Sequence, residues 1–167
     1  MEQHKTFFQD QEGYVHITTA LMDMANSYPG LQEDDRFMFS ELPHEDGLSI
    51  IATSGSFIVE ERESITGHVR QMCAYPFTVV YRASGLNQKR KMEAKEWLDT
   101  FSRWLTRQDV SINGKLYKLE NWPQLDGGRE IRNVLRQSPT YLASINEDKS
   151  EDWVAALVIQ YRNEFDR

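Results

Sequence analysis

The chain of 167 residues carries 19 lysine and arginine residues against 26 aspartate and glutamate residues, a formal net charge of −7. Hydrophobic residues make up 40% of it and charged residues 27%, as in globular domains rather than disordered or fibrous chains. Because an acidic surface repels phosphate, the composition argues against nucleic-acid binding. The length predicts a single domain over residues 1–167, with residues 1–12 as a mobile N-terminal segment.

The cysteine content and the first residues predict a reducing compartment. Cys73 is the only cysteine, so no disulfide can form within the chain, and its strand-like surroundings predict a small buried hydrophobe. The segment MEQHKTFFQDQEG is too polar and acidic for a signal peptide, and no apolar stretch approaches the ~18 residues that span a bilayer. We therefore expect a cytoplasmic protein that is neither exported nor embedded in a membrane.

The first half of the chain predicts one helix followed by strands. Apolar side chains recur at helical spacing from Tyr14 to Ala25, which predicts a helix over residues 14–27 that stops before Pro29. Beyond Arg36, four segments rich in Phe, Ile, Val, Tyr and Thr predict strands: RFMFSEL, GLSIIATSG, SFIVEERES and HVRQMCAYPFTVVYRAS.

Two local signals subdivide this strand region. Ser54-Gly55-Ser56 separates the apolar runs 50–53 and 57–59 and predicts a β-hairpin between them. Pro76 interrupts the next apolar run. Because proline cannot donate a ladder hydrogen bond, we expect one strand before it and another after it.

The most regular apolar stripe predicts a second helix that anchors the core. Its anchor residues recur at steps of three and four: Trp97, Leu98, Phe101, Trp104 and Leu105. Their burial would contribute on the order of 10 kcal/mol of gross transfer free energy before the cost of ordering the chain.

The remainder of the chain predicts further strands. Asn113-Gly114 favours a tight hairpin turn, and EIRNVLRQSP and TYLASINED follow it. The run DWVAALVIQYRNEF fits a helix and a strand; strand is favoured because the preceding runs are strand-rich and this one ends in charged residues. The predicted fold class is α+β, with one mixed, mostly antiparallel sheet packed against two main helices.

No motif predicts a catalytic, cofactor-binding or metal site. The four histidines, at positions 4, 16, 44 and 68, stand alone, and the HExxH and CxxC patterns are absent. Ser54-Gly55-Ser56 and Asp126-Gly127-Gly128-Arg129 match no phosphate-binding pattern, so turns are the better interpretation. We expect a protein that is not an enzyme and holds no cofactor.

Charged runs predict solvated surface. The acidic runs lack the spacing of a calcium loop and indicate exposed loops and turns: Glu33-Asp34-Asp35, Glu60-Glu61 with Glu63, and Glu147-Asp148 with Glu151-Asp152. Lys89-Arg90-Lys91 opens the second helix, where the helix dipole disfavours positive charge. This placement suits either an acidic partner or an ordinary solvated helix start.

Several segments together resemble the minor capsid and tail-completion proteins of long-tailed bacteriophages and prophages. They are Tyr75-Pro76-Phe77-Thr78-Val79-Val80-Tyr81-Arg82, then Arg90 and the helix from Glu96 to Leu105, with Pro139-Thr140-Tyr141 and the run Trp153 to Tyr161 compatible. The resemblance covers most of the chain from about Phe37 onward. Within this group the chain is similar to tail terminators, which form a hexameric ring of compact α+β subunits at the head-proximal end of the tail tube.

The resemblance implies a structural virion protein that is made in the host cytoplasm, assembles with copies of itself and meets the major tail protein and head-connector proteins. It implies no sequence-specific contact with nucleic acid and no contact with a membrane. We expect the contact surfaces where strands join polar segments. The expected contact residues are Glu60, Glu61, Glu63, His68, Arg82, Lys89, Arg90 and Lys91.

Other interpretations stay open. The chain also fits a head-completion or minor capsid protein, or a monomeric adaptor. A small-molecule-binding or enzymatic α+β domain is a further alternative, which predicts a deep cavity with converging polar groups and a carboxylate or histidine of shifted pKa.

Overall fold

The computed structural model describes residues 8–43, 46–84 and 88–167. Its elements, in chain order, are α1 (Gln11–Asn26), β1 (Phe37–Phe39), β2 (Gly47–Ala52), β3 (Phe57–Glu63), β4 (His68–Ala83), α2 (Gln88–Leu105), β5 (Val110–Ile112), β6 (Lys115–Tyr117), β7 (Arg129–Arg136), β8 (Tyr141–Ile145) and β9 (Glu151–Asp166). No helix in these ranges is both long and apolar enough to cross a membrane.

The main sheet is built around two strands of 16 residues each, β4 and β9, which are antiparallel along their whole length. β2 and β3 line the other side of β4, and β7 and β8 line the other side of β9. Among the described strands, only β1 is parallel to its neighbour, β2. With β5 and β6 forming a small second sheet, the predicted α+β class with a mixed, mostly antiparallel sheet is confirmed.

Both helices pack on one face of this sheet. Alternate residues in the middle of β4, such as Tyr75 and Phe77, lie in one buried core with Leu157 and Ile159 of β9. The predicted core anchors Leu98, Phe101, Trp104 and Leu105 are buried in that core, and Trp97 packs at its margin. The helix aromatics therefore serve the packing role that their spacing predicted.

The predicted hairpin between residues 50–53 and 57–59 is wrong. β2 pairs with residues 77–82 of β4, whereas β3 pairs with residues 69–74 of the same strand. Ser54-Gly55-Ser56 thus passes the chain from one half of the β4 edge to the other. A local turn signal could not show that a long third strand would pair with both runs.

The predicted break at Pro76 is also wrong, because β4 continues through it opposite Val158 of β9. The Pro76 carbonyl accepts a hydrogen bond from Thr53 N at 3.1 Å. Its nitrogen lies on the same side of the strand and faces the connection between β2 and β3 instead of a ladder partner. The missing N–H therefore lies where the pairing along β4 passes from β3 to β2.

Three other predictions are confirmed. Asn113 and Gly114, with φ of 51° and 77°, form the tight turn between β5 and β6. The ambiguous run near residue 158 is the strand β9, since its pairing with β4 decides against the helix. Cys73 is buried as expected, and burial raises the pKa of its thiol to about 12.

Helix α1 begins at Gln11, three residues before the predicted start, because Asp10 caps it. The Asp10 carboxylate accepts from Gly13 N at 3.0 Å, and a Cβ at Gly13 would lie only 2.0 Å from it. Asp10 N also donates to Ser56 O, and Phe8 O accepts from Ile58 N. Residues 8–10 therefore pair with residues 56–58 at the start of β3, and residues 11 and 12 begin α1, while residues 1–7 of the expected mobile segment lie outside the described residues.

Asp10 also forms a buried ion pair with Arg129 at the start of β7. Arg129 donates to both carboxylate oxygens, at 2.8 and 3.1 Å, and the Tyr161 hydroxyl donates at 2.7 Å. Burial alone would raise the pKa of Asp10, but these hydrogen bonds outweigh it and lower the pKa. The pair joins the N-terminal segment to both β7 and β9.

Replacing Phe101 by alanine should lower the free energy of unfolding by about 3–5 kcal/mol, because it leaves a cavity among packed aromatic rings. Urea denaturation measures the loss. Met92→Ala on the same helix is the control: its side chain is 72% exposed, so a change within about 0.5 kcal/mol is expected. Equal losses in the two variants would contradict the assigned core.

Arg129→Met should cost about 3–5 kcal/mol, because it leaves the Asp10 carboxylate buried without its ionic partner. Arg62→Met, at a guanidinium that is 80% exposed, should change stability little. The double variant Asp10→Leu with Arg129→Met should recover part of the loss in the same urea experiment. A single Arg129→Met variant as stable as the wild type would show that the pair does not hold the N-terminal segment.

Candidate functional site

The expected contact residues fall into two groups at opposite ends of β4. His68 and the three glutamates of β3 lie at one end, and Arg82 with the first turn of α2 lies at the other. His68 and Arg82 are 14 residues apart on one strand, about 46 Å at ~3.3 Å per residue. The structure therefore does not combine the expected contact residues into one patch.

The group around β3 is exposed, but its charges have partners in the same subunit. Glu60 bonds Arg62 at 2.5 Å, and Glu63 bonds Arg167 at 2.9 Å. His68 Nδ1 lies 2.8 Å from an Asp166 carboxylate oxygen. Glu61 accepts from Gln71 at 2.6 Å. This end carries a mixed, internally paired charge pattern in place of a bare acidic patch.

Arg82 is held inside the sheet. Its guanidinium donates to both carboxylate oxygens of Asp152 at 2.7 and 2.9 Å, and to the Pro43 carbonyl at 2.5 Å. Ser144 of β8 donates to the same carboxylate at 3.0 Å. The bidentate pair joins β4 to β9 and leaves Arg82 committed to its own subunit.

The basic start of α2 has an acidic partner within the chain. Lys91 Nζ lies 3.1 Å from Glu151, whose side chain is buried, while Lys89 and Arg90 are exposed. Glu151 Oε1 has no hydrogen-bond partner within the described ranges. The expectation that Glu151 and Asp152 form a solvated acidic run is therefore wrong, because β9 carries both into the sheet.

The sequence predicts β8 as a strand but does not predict that it is the most exposed strand of the main sheet. All five of its residues are exposed, including Tyr141, Leu142 and Ile145, and none is charged. Within the part of the chain that the structure describes, β8 pairs on one side only, with β9. An uncharged stretch, TYLASI, between charged neighbours was the available signal. Natural edge strands usually carry charges that block pairing with another chain, and β8 lacks them.

The guanidiniums that line the cleft beside β7 are held in contacts within the chain. A cleft of about 580 Å³ beside β7 is lined by Arg107, Trp122 and Arg129 among others. Arg107 stacks on Trp122 at 5.0 Å, and Arg129 is paired with Asp10, so both guanidiniums already have structural partners.

The shifted carboxylates have structural causes. The pKa of Asp99 is lowered to about 2: burial opposes the shift, but hydrogen bonds from Lys95, Arg136 and Thr140 outweigh it. Asp10 and Asp152 are likewise held by arginines. These carboxylates fix strands and helices to one another, which is the non-catalytic explanation of a shifted pKa.

The glycine-containing segments and histidines that the sequence offered as possible phosphate or metal sites lie in turns or stand alone. Ser54-Gly55-Ser56 joins two strands, and the Gly127-Gly128 segment precedes β7, so neither opens a helix that could bind phosphate. Among the described residues no three histidine, cysteine or acidic side chains form a group that could hold a metal ion. His4 and His44 lie outside the described residues.

No protein family model matches this sequence, and no curated protein does. The function must therefore be argued from surfaces and contacts.

Stability at acid pH should depend on Asp152. Its pKa lies below the ordinary value of 3.8, chiefly because Arg82 bonds the ionised form. The resulting stabilisation is complete above pH 3.8 and is lost as the pH falls through the lower pKa of the folded state. In urea titrations between pH 2 and 6, Asp152→Asn should flatten this loss. Identical pH profiles for the wild type and the variant would contradict the assigned pair.

Proposed function

We propose that this chain is a structural virion protein of a tailed phage or prophage, a tail terminator-like ring subunit. In this role it assembles in the host cytoplasm, caps the tail tube and joins it to the head. Its partners are copies of itself, the major tail protein and head-connector proteins. The coarse architecture supports the proposal, because the segments that carry the resemblance form β4, α2 and β9 at the centre of the fold.

The assembly role is supported by the exposed, uncharged strand β8. A strand without charge and exposed along its whole length is an aggregation hazard in a protein that remains alone. The same strand is suited to a protein that buries it against another chain. Three large apolar side chains on five residues supply the kind of contact that dominates interface energies.

Ring closure requires two different patches on each subunit, since a head-to-tail contact joins unlike surfaces. Among the described residues, no further strand pairs with the β7–β8 edge of the main sheet or with its β1–β3 edge; single bridges link Glu130 of β7 to Gln124 and Phe57 of β3 to Gln9. Because these edges lie on opposite sides of the sheet, one subunit can contact two neighbours at once. This geometry supports a ring over a closed two-fold dimer.

The first test is the solution mass from light scattering coupled to gel filtration, over a range of protein concentrations. Six copies of the 19.6 kDa chain would give about 118 kDa. A mass of 19.6 kDa at every concentration, and no binding to isolated tail tubes, would contradict the ring. A gene for a major tail protein beside the coding gene would support it, and metabolic neighbours would oppose it.

Ile145→Asp should shift the wild-type oligomer toward the monomer, because it places a charge on the apolar strand β8 of the proposed contact. Ile145 is 66% exposed in the subunit, so the substitution should leave the subunit folded. Leu116→Asp is the matched control, at an apolar side chain that is 76% exposed on β6, away from the main sheet. Unchanged mass in I145D, or equal loss in both variants, would remove β8 from the contact.

A further inference from the structure

The two outer edges of the main sheet are level with each other at one end, although β1 stands one strand farther out than β3 because β2 lies between β1 and β4. One row of paired residues crosses the whole sheet from Met38 of β1 through Ser49, Val80 and Val154 to Tyr141 of β8. The edge strands β1 and β8 therefore lie at the same height on opposite sides of the sheet.

At the other end the same relation holds for β3 and β7. Glu60 of β3 is connected through Met72 and Arg162 to Glu130 of β7 in a single row. Each edge of the sheet thus consists of two parts, an upper strand and a lower strand, and the parts match in height.

The chemistry of the matching strands is complementary. β1 and β8 contain no charged residue, and both expose large apolar side chains: Met38 on β1, and Tyr141, Leu142 and Ile145 on β8. In contrast, β3 has three carboxylates and one guanidinium, whereas β7 has three guanidiniums and one carboxylate. When two sheets meet edge to edge, an uncharged strand therefore faces an uncharged one, and a mainly acidic strand faces a mainly basic one, with Glu60 level with Glu130 and close in height to Arg132.

One guanidinium of β7 is placed to act between subunits. Arg129 and Arg136 are committed to aspartates of their own subunit. Arg132 lies at the β-bulge of β7, is 48% exposed, and its bond within the described ranges is to Glu130 on the same strand, at 3.2 Å. A bulge at a sheet edge changes the direction of the side chain at that position, so the bulge can turn Arg132 toward a neighbouring subunit.

Strand directions allow the two edges to meet. β7 and β8 run antiparallel to β9, and β9 runs antiparallel to β4. β3 and β2 both run antiparallel to β4, and β1 runs parallel to β2. A second copy placed by rotation about an axis along the strands keeps both heights and directions, so its β1 and β3 come beside β8 and β7 in antiparallel orientation.

Resting on the ring assembly proposed above, we propose that the β7–β8 edge of one copy docks on the β1–β3 edge of a second copy. The apolar side chains of β8 pack on β1, and Arg132 pairs with Glu60 of the neighbour. Because bulges at Val59 and Arg132 interrupt the ladders of both charged strands, we assign this half of the contact to side chains rather than to strand pairing.

Charge reversal and exchange test the pairing. Arg132→Glu and Glu60→Arg should each raise the dissociation constant of the wild-type oligomer about tenfold or more, since each puts like charges together. The double variant, with both substitutions, should restore association. Lys115→Glu on β6 is the control for the change in net charge and should leave the mass unchanged. The readout is sedimentation velocity over a concentration series, with the urea midpoint of each variant confirming its fold.

The outcomes separate this contact from the ring itself. Loss in both single variants and rescue in the double variant supports the edge-to-edge contact. If the wild type is oligomeric and none of these substitutions changes its mass, the contact is overturned and the ring stays in place with another interface. If the single variants lose association and the double variant does not restore it, the pairing of Arg132 with Glu60 is overturned. A wild type that stays monomeric at every concentration and does not bind isolated tail tubes overturns the contact and the ring together.

Discussion

The pairing of β4 with β9 is the constraint on which the rest of the structure depends. Sixteen successive register positions join these strands, from His68 with Asp166 to Ala83 with Glu151. Their shared face receives both helices, and their outer sides receive the strands that end the sheet. The two exposed edges and their relative heights follow directly from this one ladder.

Ion pairs fix the register of the ladder at both ends. Arg82 bonds Asp152 at one end, and Arg70 bonds Glu164 at the other, each pair being direct partners across the strands. A slip of one residue would turn the alternating apolar side chains to the wrong face and would also break these pairs. Apolar alternation and charge pairing therefore specify the same alignment.

The sequence predicted what depends on short-range periodicity and missed what depends on distant strands. The stripe from Trp97 to Leu105 and the Asn113-Gly114 turn are local signals, and the structure confirms both elements. The false hairpin around Gly55 and the false break at Pro76 share a cause, because both depended on which strand lay alongside. The burial of Glu151 and Asp152 could not be predicted from an acidic run, since their partners Lys91 and Arg82 are some 60 to 70 positions away. The edge strand β8 was predicted as a strand, but its exposure depends on its place in the sheet.

The length of the β4–β9 ladder also bears on how the chain folds. The residues that it joins are separated by 70 positions at Arg82 and by 98 at His68. Closing loops of this size must precede most of the favourable contacts, so we expect folding on the millisecond-to-second scale of sheet-dominated proteins. Until β9 arrives, the edge of β4 opposite β2 and β3 stays unpaired over 16 residues, which exposes the partly folded chain to association with other chains.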